Sequence, residues 1–186
     1  SLPYAPVGLS CGFEYAPGVT LEETLDLLTA FDKKDYIVSV HFRSDGPCAA
    51  ASTEEVVELS KRSGYKVQMS HIGSCSAVGY MRDTLDVLDK ARAEGVDIMS
   101  DCYPYHAFCT GIGTAVFDEE SFSKWDYSDL MITAGPYKNQ RCTKELFEKL
   151  RKEDPDMYVV AFVMNEEEID MAYKQPYVMV GSDCGF

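Results

Sequence analysis

Three short apolar runs end in chemistry-bearing side chains at a fixed interval, and that interval restricts the fold more than any other feature of the chain. Residues 36–43 (Tyr-Ile-Val-Ser-Val-His-Phe-Arg) end in His41 and Arg43, residues 66–71 end in His71, and residues 96–105 carry Asp101, Tyr103 and Tyr105. His41, His71 and Asp101 stand 30 positions apart in turn. Apolar, β-branched runs of this length read as buried strands. One strand with its crossover helix takes about 30 residues. Polar groups at the same end of successive parallel strands converge in space, so the interval predicts a parallel α/β sheet with a functional rim.

The intervening segments carry the helix signals this requires. Thr20 and Glu23 have capping-box spacing, and Leu21, Leu25, Leu28 and Phe31 follow on one helical face. Ser52 and Glu55 repeat that spacing ahead of Val56 and Leu59. Gly64 reads as the C-cap of this second helix. Met81, Leu85, Leu88 and Ala91 make a third face, which Gly95 ends. The alternation predicts helices flanking a parallel sheet, with right-handed crossovers.

Beyond Tyr105 the regularity weakens. Residues 106–118 read as a loop over the mouth of the sheet, and 119–129 as irregular or briefly helical. A short strand is expected at 129–133. Thr143 caps a helix that Asp154-Pro155 ends. A strand at 157–164, a helix at 166–173 and a last strand at 177–183, ending in Asp183, complete the pattern. The chain opens in a loop and stops just after a strand, which suggests a piece of a larger protein. The expectation is one domain over residues 1–186, with a less regular insertion near 106–156.

Composition excludes several classes of partner. An apolar fraction of 46% is too high for a disordered chain. The net charge of −14, from 31 acids against 17 bases, disfavours nucleic acid and anionic membranes, which select basic patches. No apolar run approaches the roughly 18 residues of a membrane span. Seven cysteines without a Cys-x-x-Cys pair read as reduced thiols in a cytoplasmic protein.

His41, His71, Asp101 and Asp183 thus mark four strand ends. Two imidazoles and a carboxylate meeting at one sheet edge make a candidate zinc site. A metal-held water becomes a hydroxide near neutral pH, and a nearby carboxylate can move its proton. Asp101 either joins this set or anchors the adjacent turn. Arg43, two residues after His41, either holds a substrate carboxylate with its forked donors or pairs with Asp45 or another acid of the wall. Cys11 and Cys102 are the thiols considered as further ligands. His106 lies off the pattern.

Gly8-Leu-Ser-Cys-Gly-Phe-Glu-Tyr15-Ala-Pro-Gly18, Val40-His41-Phe42-Arg43, Val67-Gln-Met-Ser-His71, Ser100-Asp-Cys-Tyr-Pro-Tyr105 and Val180-Gly-Ser-Asp183 resemble, in order and spacing, the successive motifs of the D-aminoacylases. These are N-acyl-D-amino-acid deacylases of the metal-dependent amidohydrolase superfamily. The resemblance implies part of a (β/α)8 TIM-like barrel, about strands 4 to 8, with its site at the C-terminal face. It implies that His41 and His71 match zinc ligands, and that Asp183 takes the proton from water and passes it to the leaving amine. Tyr15, Tyr103 and Tyr105 match substrate-wall positions. The partners implied are a small N-acyl amino acid and either the rest of an amidohydrolase chain or a homo-oligomer partner. The family's His-x-His strand, its Cys-ligand strand and its flanking β-sandwich have no counterpart here. Gly73 stands where members often carry a substrate-binding Lys. Two other readings follow from these departures: an amidohydrolase of cyclic amides, like the dihydroorotases and hydantoinases, and a non-catalytic fragment that holds a small acid.

Overall fold

The computed structural model describes residues 7–31, 35–119, 122 and 125–183. The expected opening loop at 1–6, the ending at 184–186 and parts of the stretch 119–129 lie outside the described residues. The chain divides into two compact units, one of residues 1–104 with 167–186 and one of Tyr105–Glu166.

The first unit is built on a parallel sheet in the order β1 (Gly8–Gly12), β2 (Ile37–His41), β3 (Lys66–Met69), β4 (Ile98–Cys102) and β8 (Val178–Val180). Strands β2, β3 and β4 alternate strictly. Val38, Val40, Val67, Met69, Ile98 and Cys102 are buried on one face. The intervening residues Ser39, Gln68 and Asp101 occupy the other face and bond to one another across strands. The Ser39 hydroxyl meets Gln68 Oε1 at 2.7 Å and Ser70 Oγ at 2.8 Å, and the Gln68 amide donates to Asp101. One face is therefore a hydrophobic core and the other a hydrogen-bonded polar floor.

The apolar face needs a cover, and amphipathic helices supply it. Helix α1 (Leu21–Thr29) starts in the expected Thr20–Glu23 capping box. Helix α2 (Ala49–Ser63) starts earlier than its sequence suggests. It enters through a single 3₁₀ turn at Gly46–Cys48, where Pro47 pre-sets the first helical dihedral. Ser52 is consequently not a cap: its hydroxyl donates to the Ser44 carbonyl and accepts from the Ser44 N–H, pinning the loop after β2. Gly64 ends α2 in the left-handed conformation (φ 68°), as expected for a C-cap. The expected loop after His71 contains a short helix, α3 (Ile72–Ser76), ahead of α4 (Met81–Ala93). Met81, Leu85, Leu88 and Ala91 form the buried stripe of α4. No side chain of its own caps α4. Glu168, on α6 (Glu166–Tyr173), accepts from the Gly79 and Met81 N–H groups instead, at 2.7 and 3.0 Å.

The second unit is antiparallel. Strands β5 (Phe108–Gly111), β6 (Leu130–Ile132) and β7 (Tyr158–Ala161) pair in the order β5-β7-β6, beside α5 (Lys144–Glu153). The loop expected at 106–118 therefore holds a strand and a 3₁₀ turn at Ala115–Phe117. An alternating two-sided strand of four residues is too short to stand out from a Gly/Thr-rich loop in sequence. Thr143 caps α5 as expected, through a bond from the Leu146 N–H. Phe108, Phe117, Phe122, Trp125, Tyr127 and Phe147 form a continuous chain of ring contacts, with Phe122 stacked on Tyr127 at 4.3 Å.

Candidate metal centre

Strand register decides which groups meet. Val40 pairs with Met69, and Met69 with Ser100. The residues level with His41 are therefore Ser70 and Asp101, and His71 stands one position beyond them. A one-residue offset on a flat strand sends a side chain to the opposite face. Here the backbone at His71 turns left-handed (φ 39°, ψ 51°), which is unusual for a residue with a side chain. Asp101 holds this turn, its Oδ1 accepting the His71 N–H at 2.6 Å. Of the two roles open to Asp101, the structure displays the turn anchor.

The result is a close approach of two imidazoles. His41 Nδ1 lies 3.0 Å from His71 Nε2, with ring centroids 4.6 Å apart. The outer nitrogens decide what these inner atoms carry. His41 Nε2 is 2.6 Å from Oε2 of Glu14, whose side chain is 7% exposed. An ionised carboxylate only accepts, so Nε2 holds the proton. The Ser74 hydroxyl donates to the His71 carbonyl at 2.9 Å, leaving its oxygen to accept from His71 Nδ1 at 2.9 Å. In the neutral rings both inner nitrogens then present lone pairs to each other. Burial favours the neutral form, holding both imidazoles below the usual histidine range, and their proximity to each other adds to this at His71.

Two lone pairs facing at 3.0 Å repel unless a cation lies between or beside them. Zinc-to-imidazole bonds of about 2.0–2.1 Å in tetrahedral geometry set two nitrogens roughly 3.3 Å apart. The His41–His71 separation is close to that bite. Each outer nitrogen is also tied to an oxygen, the arrangement that orients metal-binding histidines. These residues fit a divalent metal.

Further donors surround the pair. His41, His71 and Cys75 offer ligand atoms within 4.8 Å of one another, as do Glu14, His41 and Asp45. Cys75 Sγ lies 3.5 Å from His71 Nδ1, so the thiol beside the pair is neither Cys11 nor Cys102. Its pKa is pushed well up by burial and by the Asp45 carboxylate. Burial, reinforced by the charge of Glu14, raises Asp45 to about 7, and its Oδ1 is enclosed without a hydrogen-bond partner. Asp183 is exposed, and its charge opposes the effect of burial on His41 and His71.

The remaining candidates separate. Tyr15 is half exposed, with its ring centroid 4.9 Å from that of His41. Tyr103 is buried and hydrogen-bonded to Ser74, and burial drives its hydroxyl pKa strongly upward. Tyr105 is exposed and belongs to the second unit. His106, also in that unit, faces Glu166 at 4.0 Å. For Arg43 the structure displays the second of its two readings, the pairing with an acid of the wall. Its guanidinium grips Glu55 with two nitrogens at 2.8–3.2 Å, donates to the Pro17 and Val19 carbonyls, and lies 5.1 Å from the centroid of the Phe13 ring. The fork is committed to protein groups that tie the segment after β1 to α2. Sequence reasoning named Tyr15 in the segment after β1 and passed over Glu14. The strand-end rule that picked out His41 reaches Glu14 too, since Gly12 pairs with His41. Asp45, Ser74 and Cys75 lie in turns, where that rule gives no signal.

No family model matches the chain. Over 98% of its length it is 27% identical to an N-acyl-D-glutamate deacylase of Alcaligenes xylosoxydans xylosoxydans. An N-acyl-D-glutamate deacylase of Bordetella bronchiseptica, solved with zinc and a phosphonate mimic of the tetrahedral intermediate, matches 95% of the chain with a TM-score of 0.75 and 26% identity. The chain is similar to the N-acyl-D-glutamate deacylases. A solved D-aminoacylase shares the fold, with a TM-score of 0.73 at 21% identity over 95% of the chain. The chain spans 39% of the length of each of these three proteins. The parallel sheet of the first unit is accordingly part of a TIM-like barrel.

Proposed function

We propose that this chain carries the histidine face of a zinc-dependent amidohydrolase that removes the acyl group from N-acyl-D-amino acids. One observation carries the reading: His41 Nδ1 and His71 Nε2 face each other at 3.0 Å with their outer nitrogens already engaged. His41 and His71 hold the metal through their inner nitrogens, while Glu14 lies at the outer nitrogen of His41 and Cys75 beside the outer nitrogen of His71. When bound, zinc supplies a water-derived nucleophile at near-neutral pH and polarises the acyl oxygen. Asp183 receives the proton of that water and delivers it to the departing amine, consistent with its charge acting on both rings. Tyr15 forms an exposed aromatic wall beside His41, and Tyr103 braces Ser74. The similarity to two N-acyl-D-glutamate deacylases makes an N-acyl-D-glutamate the first substrate to try. Either the rest of an amidohydrolase chain or a homo-oligomer partner, and a cytoplasmic location, complete the proposal. The six described cysteines are free thiols, and no described helix is long and apolar enough to cross a membrane.

A second reading has its own support. Gly73 brings no side chain to the position from which a Lys would reach a substrate acid, and Arg43 is engaged elsewhere. Hydantoins and simple cyclic imides lack that acid. Turnover of N-acetyl-D-glutamate and other N-acetyl-D-amino acids by the full-length protein, compared with the L-series and cyclic imides, separates the two. Preference for the D-series supports deacylation. Equal or faster turnover of the imides overturns it. A folded full-length protein that takes up no zinc leaves neither enzyme reading standing, and favours the small-acid binder.

A further inference from the structure

We propose that Glu14 is a positioning residue that sets which nitrogen His41 presents to the metal. The proposal rests on the preceding reading only in taking His41 as a ligand. Glu14 follows β1, next to the strand that carries His41, and its side chain is almost wholly enclosed. Burying a carboxylate is costly unless it is paired and hydrogen-bonded. One partner here is His41 Nε2, at 2.6 Å.

This contact has a directional consequence. A neutral imidazole carries one N–H and one lone pair. With the N–H drawn to Glu14, the lone pair is at Nδ1, the atom 3.0 Å from His71 Nε2. With the opposite tautomer the Nδ1 proton would point at the space the metal needs. Glu14 therefore prepares the site before the metal arrives, raises the basicity of the ligand and fixes the ring plane. Ser74 does the corresponding work at His71 with a neutral oxygen, so the two ligands are oriented by partners of different charge.

The test uses the full-length protein with Glu14→Gln and Glu14→Leu variants. Histidine-selective ¹⁵N spectra of the metal-free forms, with His41 assigned through a His41→Gln variant, report the tautomer. Zinc affinity is measured by competition with a chelator. The proposal expects the Nε2–H tautomer in the parent protein and in Glu14→Gln, whose amide oxygen can still accept. It expects mixed tautomers in Glu14→Leu, with zinc held 10–100-fold more weakly, and most of that loss recovered in Glu14→Gln. An Nδ1–H tautomer in the parent protein overturns it. So does a folded Glu14→Leu that binds zinc as tightly as the parent. If Glu14→Leu does not fold, the parent tautomer and Glu14→Gln decide. A parent protein that shows the Nε2–H tautomer but binds no zinc leaves the role of Glu14 intact and removes the metal reading instead.

Discussion

The two units use strands in opposite ways, and the contrast explains where chemistry resides in this chain. In the first unit, five parallel strands bring their C-terminal ends to one rim, so residues just past those ends collect there. Glu14, His41, His71 and Asp183 arrive from four of its strands in this manner, with β2 and β3 supplying the imidazoles. In the second unit, three antiparallel strands send alternate ends to opposite edges, and nothing accumulates. Its interior is instead a chain of aromatic rings from Phe108 to Phe147. Both groups of metal-ligating side chains found among the described residues lie in the first unit. Polar clustering is thus a property of strand direction, and ring clustering fills space where direction offers no such rim.

The sharpest way to break this contrast is at the rim. His71→Ala in the full-length protein should abolish zinc binding and turnover together, read by elemental analysis and by hydrolysis assay. Asp183→Ala should retain zinc while turnover falls by about 10²–10⁴-fold. A variant at either position that keeps near-parental activity would detach that residue from the proposed chemistry. In the second unit, Phe147→Ala removes a buried ring that meets Phe117, Phe122 and Tyr127. It should lower stability by about 3–5 kcal/mol in denaturant unfolding, with zinc content of the folded protein unchanged. Loss of zinc in that variant would show that the two units are not independent in function.

Smaller effects sharpen the picture within the first unit. Arg43→Gln removes the grip on Glu55 and two carbonyls, and should cost about 1–3 kcal/mol of stability. The Michaelis constant should not change. A large rise in it, with stability intact, would restore Arg43 as a substrate-binding residue. Glu168→Ala uncaps α4 and should cost about 1 kcal/mol, measured as a shift in the unfolding midpoint with turnover unaffected.

Much of this was legible in the amino-acid sequence because strand and helix periods are local. The alternation from Ile37 to His41, the stripe of Met81, Leu85, Leu88 and Ala91, and the cap at Thr20 all depend on neighbours within a few residues, and they fold as expected. What escaped the sequence depends on contacts between distant segments. Ser52 looks like a cap until Ser44 claims its hydroxyl. Arg43 looks free until Glu55 and the carbonyls of Pro17 and Val19 close on it. The 30-residue interval was a correct sign of repeated strands, but it places His71 one position off register with His41. Only the left-handed turn held by Asp101 brings the ring back. The resemblance to the D-aminoacylases pointed to both histidines and Asp183. It did not point to Glu14, which the neighbouring strand carries to the other side of His41.

The most direct measurement is an anomalous difference map at the zinc edge from crystals of the zinc-loaded full-length protein. The account predicts a peak about 2.0–2.2 Å from both His41 Nδ1 and His71 Nε2, with Glu14 still bonded to His41 Nε2. A zinc peak coordinated by neither ring, or a His41 that turns Nε2 to the metal and leaves Glu14 behind, would contradict it.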